Sequence, residues 1–229
     1  MLRYAAFALI VLFCSSARAG PAPSSAAQQA SAPAASGSGV PMDERLPGDH
    51  WTVEALDEIT GTIDAVHSVV TEVTATDISV RAETIRADKI HQTNFRIFDR
   101  SWNTIRSGQW QYFPFDGNVG IQAPLTVGKS WAYEFKAVSS AATRNWSGSS
   151  KVIGQETVST KAGTFEAFKI ETTASGRDFK DPSITEELAA QTWYAPALGH
   201  WVKRSWITRS NNHLSSNYSY ELVELSRKQ

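Results

Sequence analysis

One cysteine in 229 residues leaves no partner for an intramolecular disulfide and no thiolate cluster for a metal. A dominant charge is missing too: 22 Lys and Arg stand against 23 Asp and Glu, a net charge of -1. That balance gives no whole-chain electrostatic reason for a nucleic acid or an anionic membrane as partner. Long apolar runs are scarce. The compact stretch from Ala5 to Phe13 is about half of the roughly 20 residues that a spanning helix needs. No Gly-x-Ser-x-Gly elbow, P-loop, dinucleotide fingerprint, HExxH motif or EF-hand loop is present. What the chain does have is 41% hydrophobic and 10% aromatic residues with only 20% charged ones, which argues against a disordered, highly charged polymer.

The first residues read as an address. Arg3 gives a positive start, AAFALIVLF follows, and Ala17-Arg18-Ala19 is the small-x-small pattern cut by a signal peptidase. A signal peptide over 1–19 is expected, and with it export to the periplasm or beyond. Cys14 leaves with that leader. A small residue normally precedes the modified Cys of a lipoprotein, whereas Phe13 precedes this one, so lipidation is disfavoured. Residues 20–42 are almost wholly Ala, Ser, Pro, Gly and Gln, too poor in apolar surface to offset the entropy of ordering, and are expected to be a disordered linker. Loss of Arg3 and Arg18 leaves 20 basic residues against 23 acidic ones, a mature charge of −3.

Residues 43–229 read as one β-rich domain. Ile63, Ala65, Val69 and Val73 are placed on one face of a strand, with Asp64, Ser68 and Glu72 on the other. Ile78, Val80 and Ala82 alternate with Ser79, Arg81 and Glu83, and Trp131, Tyr133, Phe135 and Ala137 alternate with polar neighbours. Thr60-Gly61, Ala75-Thr76-Asp77, Asp116-Gly117-Asn118, Val127-Gly128, Ala162-Gly163 and Leu198-Gly199 punctuate the runs as turns. Ser183-Ile184-Thr185-Glu186 fits a helix capping box, but the alternation of Leu188, Ala190, Thr192 and Tyr194 favours a strand preceded by a turn. The spacing predicts an all-β fold: a single antiparallel β-roll or barrel-like meander of about ten to twelve strands, with few or no helices.

Four short pieces carry a resemblance. They are Pro124 to Trp131 (PLTVGKSW), Gly154 to Val158 (GQETV), Ala162 to Ile170 (AGTFEAFKI) and Trp193 to Lys203 (WYAPALGHWVK). Over about residues 125–203 the chain resembles exported bacterial β-roll proteins of unknown function, the TapB-like and related domains. Lys161 stands where that group usually has Pro, and Ala197 where it has Gly. The resemblance implies a rolled antiparallel sheet in the cell envelope and supplies no catalytic residues. On their own physics these pieces are turn and core: Gly163 and Gly199 are expected at positive φ, and Phe165 and Phe168 begin a strand.

Candidate chemistry is sparse. His67 sits among apolar neighbours as a satisfied or rim histidine, and His200 follows a turn glycine where it could face a ligand. Asp57-Glu58 and Glu186-Glu187 point to opposite faces of a strand and cannot form a facing glycosidase pair. Lys203-Arg204 beside Trp201 and Trp206 could pair with nucleic acid, but the balancing acids oppose it. Aromatic density is the departure that needs explaining. Trp102, Trp110, Tyr112, Phe113 and Phe115 form one group, and Trp193, Tyr194, Trp201 and Trp206 a second. Such rings either fill a barrel core or build a ligand platform. Trp102, Trp110, Tyr112, Trp193 and Trp201 are the candidate ligand contacts. No cofactor or metal is indicated. The functional expectation is an exported, non-catalytic envelope domain that binds a partner or supports an assembly. A lipocalin-like carrier of a small apolar ligand and a carbohydrate-binding module are the alternatives.

Overall fold

The computed structural model describes residues 45–100, 102–113 and 120–228. The leader, the linker, Phe115 and the Asp116-Gly117-Asn118 turn lie outside these residues. Within them the chain is twelve strands: β1 (His50–Asp57), β2 (Thr62–Val73), β3 (Asp77–Arg86), β4 (Lys89–Asp99), β5 (Thr104–Ser107), β6 (Trp110–Phe113), β7 (Ser130–Val138), β8 (Thr143–Thr160), β9 (Gly163–Asp178), β10 (Thr185–Ala195), β11 (His200–Ser210) and β12 (His213–Ser226). Each strand pairs with its sequence neighbour, and β1 pairs with β12 to close the barrel. This is the all-β barrel that the spacing predicts. Because β5 and β6 are short, β4 pairs with β5 only through Arg96, Ile97 and Phe98, and β7 with β6 only through Lys136, Ala137 and Val138.

The two ends of the barrel differ. One end carries the tight hairpins between β1 and β2, β3 and β4, β5 and β6, β7 and β8, β9 and β10, and β11 and β12. In two of them, Ala87-Asp88 and Asn211-Asn212, both central residues have positive φ (48° and 60°; 46° and 66°). This is the two-residue turn whose twist matches the flanking strands. No glycine marks either turn, so neither stands out in the sequence. Ser183 also belongs to this end, where its hydroxyl donates to Asp181 Oδ1 at 2.6 Å in the turn before β10 instead of capping a helix. Gly163 (φ 135°) and Gly199 (φ 59°) do take the positive φ their turns require.

The other end is packed. Trp51, Val53, Val70, Ile78, Val80, Val202 and Leu222 are buried there together with Val158 and Ala167 from the far reach of the β8–β9 hairpin. The tip of that hairpin crosses to the opposite side of the barrel. Ala162 N–H donates to Leu222 O at 3.2 Å, and Lys161 bonds Glu54 and Glu221. The apolar alternations of β3 and β7 face inward, as their patterns imply.

β2 is the exception. Asp64, Val66 and Ser68 line the interior and Val70 is buried, whereas Ile63 is exposed and His67 lies on the outer face. From Ile63 to Val69 the face assignment is therefore reversed, whereas past the register shift between Val70 and Glu72 it holds: Val73 packs against the core and Glu72 is exposed. Period-two alternation marks a strand, but it shows which face is inward only when the interior is uniformly apolar, and this one mixes polar and apolar groups.

Candidate functional site

Above the packed end the barrel is hollow. A cavity of about 500 Å³ begins at Trp51 and Val53 and extends to Asp64, Arg86 and His91 at the hairpin end. Its wall is one arc of six contiguous strands, β11, β12 and β1–β4. The opposite half of the interior is filled by rings. Tyr112 lies 5.8 Å from Phe135, and Phe135 stacks on Trp146 at 6.0 Å with the planes 5° apart. Two glycines make room for this layer. A Cβ on Gly148 would stand 2.7 Å from the Tyr133 ring, and one on Gly176 would stand 2.6 Å from the Trp146 ring.

Arg96 on β4 and Arg204 on β11 line the cavity. Both are half-buried and the Nε of each has no hydrogen-bond partner. Burial pushes both guanidinium groups below their ordinary range, and Arg96 lowers Arg204 further by like-charge repulsion. Opposing these effects are only tyrosines: Tyr220 and Tyr112 around Arg96, and Tyr220 and Tyr133 around Arg204. Among the described residues neither arginine forms an ion pair with a carboxylate.

Arg204 does lie over the Trp206 ring at 5.1 Å, and Trp206 meets Tyr220 edge-on at 5.5 Å. Burial in turn raises the Tyr112, Tyr133 and Tyr220 hydroxyls above their usual range. The phenols are thus neutral at physiological pH and do not cancel the cations. Arg144, on the same inner face, is neutralised by Glu186 at 3.1 Å. At the mouth, Arg86 grips Asp64 through Nε at 2.6 Å and Nη2 at 2.7 Å, which holds the Asp64 carboxyl below its usual pKa.

Asp64, Ser68 and His91 share this cavity without forming a triad. Four residues of strand place Ser68 about 13 Å from Asp64. Arg86 moreover occupies both oxygens of Asp64. Among the described residues no three His, Cys, Asp or Glu side chains cluster as metal ligands.

The five candidate contacts are distributed over several places. Trp201 lines the cavity and meets Tyr220 edge-on at 6.2 Å. Tyr112 belongs to the ring layer beside Arg96, and Trp110 carries the Arg144 guanidinium at 5.1 Å. Trp102 packs at the closed end against Phe98 at 5.2 Å and Trp51 at 5.9 Å. Trp193 lies in the register row of Lys169 and Lys203, with both ammonium groups over its ring at 5.0 and 5.7 Å, and its indole N–H donates to Glu156.

His200 does not line this cavity: it is buried between Trp51 at 5.0 Å and Trp201 at 5.2 Å. The arginine pair was missed as a site, and a signal for it exists. Adjacent strand residues face opposite sides, so Lys203 and Arg204 cannot both be solvent-facing.

Residues 147–218 match the family described as DUF3108-like. The match covers about a third of the chain and overlaps the β8–β12 wall. No curated protein matches the sequence. Among solved structures, a candidate lipoprotein of Parabacteroides distasonis superposes with a TM-score of 0.50 at 14% identity, covering 81% of this chain and 98% of that one. A candidate exported protein of Bacteroides fragilis with a YmcC-like fold gives 0.44 at 16% identity, covering 80% of this chain and 97% of that one. The hypothetical lipoprotein YmcC of Escherichia coli gives 0.46 at 9% identity, with 80% and 87% coverage. At these identities the likeness is one of fold.

Proposed function

We propose that this protein is an exported, non-catalytic β-barrel of the cell envelope that holds a small molecule inside the barrel. The observation that carries the proposal is the cavity of about 500 Å³ between the packed end and the hairpin end. That volume lies in the usual range of ligand sites, which join an apolar lining to a few placed polar groups. Trp201, Trp206 and Tyr220 supply the rigid area here, and Asn94, Thr84 and Gln92 supply polar contacts.

The leader pattern of Arg3, Ala5–Phe13 and Ala17-x-Ala19 supports export. The description of the Parabacteroides barrel as a candidate lipoprotein accords with an envelope setting. Lys151, Glu171, Glu187, Lys203 and Arg209 are exposed on the barrel wall. These charges suit an aqueous setting better than a lipid-facing band.

The test uses N-phenyl-1-naphthylamine, a neutral dye whose fluorescence rises in apolar surroundings. Thr84 and Asn94 line the cavity, so Thr84→Trp and Asn94→Trp fill it, whereas the exposed Thr93 faces outward and Thr93→Trp is the control. Saturable binding to the wild type and T93W, and its loss in T84W and N94W with unchanged circular dichroism, is the expected result. Absence of binding to the wild type, or equal binding by all four proteins, refutes the proposal.

A further inference from the structure

We infer that the cavity selects an amphiphile with an anionic head group, and that Arg96 and Arg204 together receive that head. The inference rests on the interior-binding function above and adds the chemical class of the ligand.

Two guanidinium groups enclosed by a barrel wall are costly unless each finds an opposite charge. Among the described residues, no carboxylate on the inner face supplies one. Asp64 is taken by Arg86, Glu186 is taken by Arg144, and the groups nearest the pair are neutral phenols and each other. A ligand oxyanion placed between them would relieve their mutual repulsion and supply the opposite charge that each lacks. Carboxylate, sulfonate and phosphate share the planar or forked acceptor geometry that guanidinium matches.

The remaining surface fits the rest of such a molecule. Trp201, Trp206 and Tyr220 form one wall, and Val53, Ala55 and Val66 form another, so an alkyl or aromatic body can lie against apolar groups while its head meets the arginines. A purely apolar ligand would leave both cations uncompensated. A free inorganic anion would leave the aromatic walls unused.

Displacement of N-phenyl-1-naphthylamine by dodecanoate, dodecyl phosphate, 1-dodecanol and inorganic phosphate separates these cases. One charge-assisted contact of ordinary strength corresponds to about a tenfold difference in affinity. At least one of the two anionic amphiphiles is therefore expected to displace the dye at concentrations about tenfold or more below those for dodecanol, with inorganic phosphate ineffective. In R96Q and R204Q that preference should shrink to about twofold or less while dodecanol displacement is unchanged, the difference between the charge-assisted and neutral bond.

Removal of an unpaired buried cation should also leave the unliganded barrel as stable as the wild type, or more so. A purely structural arginine would instead lower the thermal midpoint. Equal displacement by dodecanol and both anions, or a preference that survives in both variants, overturns the inference while leaving interior binding intact. Failure of the wild type to bind the dye overturns the underlying function instead.

Discussion

Buried charge in this barrel is of two kinds. At the closed end, Arg45 has partners: the Leu198 and Gly199 carbonyls at 3.4 and 3.3 Å, Asp49 at 3.9 Å and the face of Trp102 at 5.4 Å. Burial and Arg227 still bring it down to about 10. His200 lies beside it and responds more strongly. Burial, then the nearby Arg45 and Arg227 charges, push the imidazole down to about 3 from its ordinary 6.5. Its Nδ1–H donates to Trp201 O at 2.6 Å, a bond that opposes the shift without cancelling it, so the ring stays neutral. The unfolded chain then takes up a proton that the folded one excludes. His200 costs nothing above about pH 6.5, and as pH falls below that value stability drops by at most about 1.4 kcal/mol per pH unit until the folded pKa is reached. Urea unfolding at pH 7.5 and pH 5.0 should show this loss, and H200Q should show a smaller one. The depressed Asp64 carboxyl adds its own loss only nearer its ordinary value of 3.8, below that interval. A pH dependence identical in H200Q and wild type would contradict the assignment.

Among the elements, β8 and β9 show how small residues shape the interior. Gly148 and Gly176 let the rings of Tyr133 and Trp146 lie against the barrel wall, whereas nothing stands within 4 Å of a Cβ on Gly154. G176A must displace an indole that stacks on Phe135, and should cost about 1–3 kcal/mol, the usual penalty of overpacking. G154A should stay within about 0.5 kcal/mol of the wild type. Equal urea midpoints for the two variants would contradict this packing.

The strands themselves were legible where inner and outer faces differ in polarity. β3 and β7 present Ile78, Val80, Tyr133 and Ala137 inward, and the turns at Gly163 and Gly199 need the φ that only glycine adopts freely. The part of β2 from Ile63 to Val69 was misoriented because Asp64 and Ser68 face a hollow of mixed polarity while Ile63 faces solvent. The site was hidden for the same reason. Aromatic density pointed to a barrel interior, but an arginine beside a lysine reads as surface until strand alternation is applied to both.

At the scale of the whole molecule, twelve strands enclose more space than their side chains fill. The β8–β9 hairpin tip and the buried cluster around Val202 and Leu222 close one end, so the empty volume is confined between that floor and the hairpin turns. A barrel sealed at one end and lined above by rings and by two arginines that have no carboxylate partner among the described residues is shaped as a receptacle. The most direct measurement is a crystal structure of the protein grown with 12-bromododecanoate, with the bromine located by anomalous scattering. A bromine peak inside the barrel, with the carboxylate between Arg96 and Arg204, is the predicted result. Bromine found only on the outer surface, with the cavity holding water alone, would contradict interior binding.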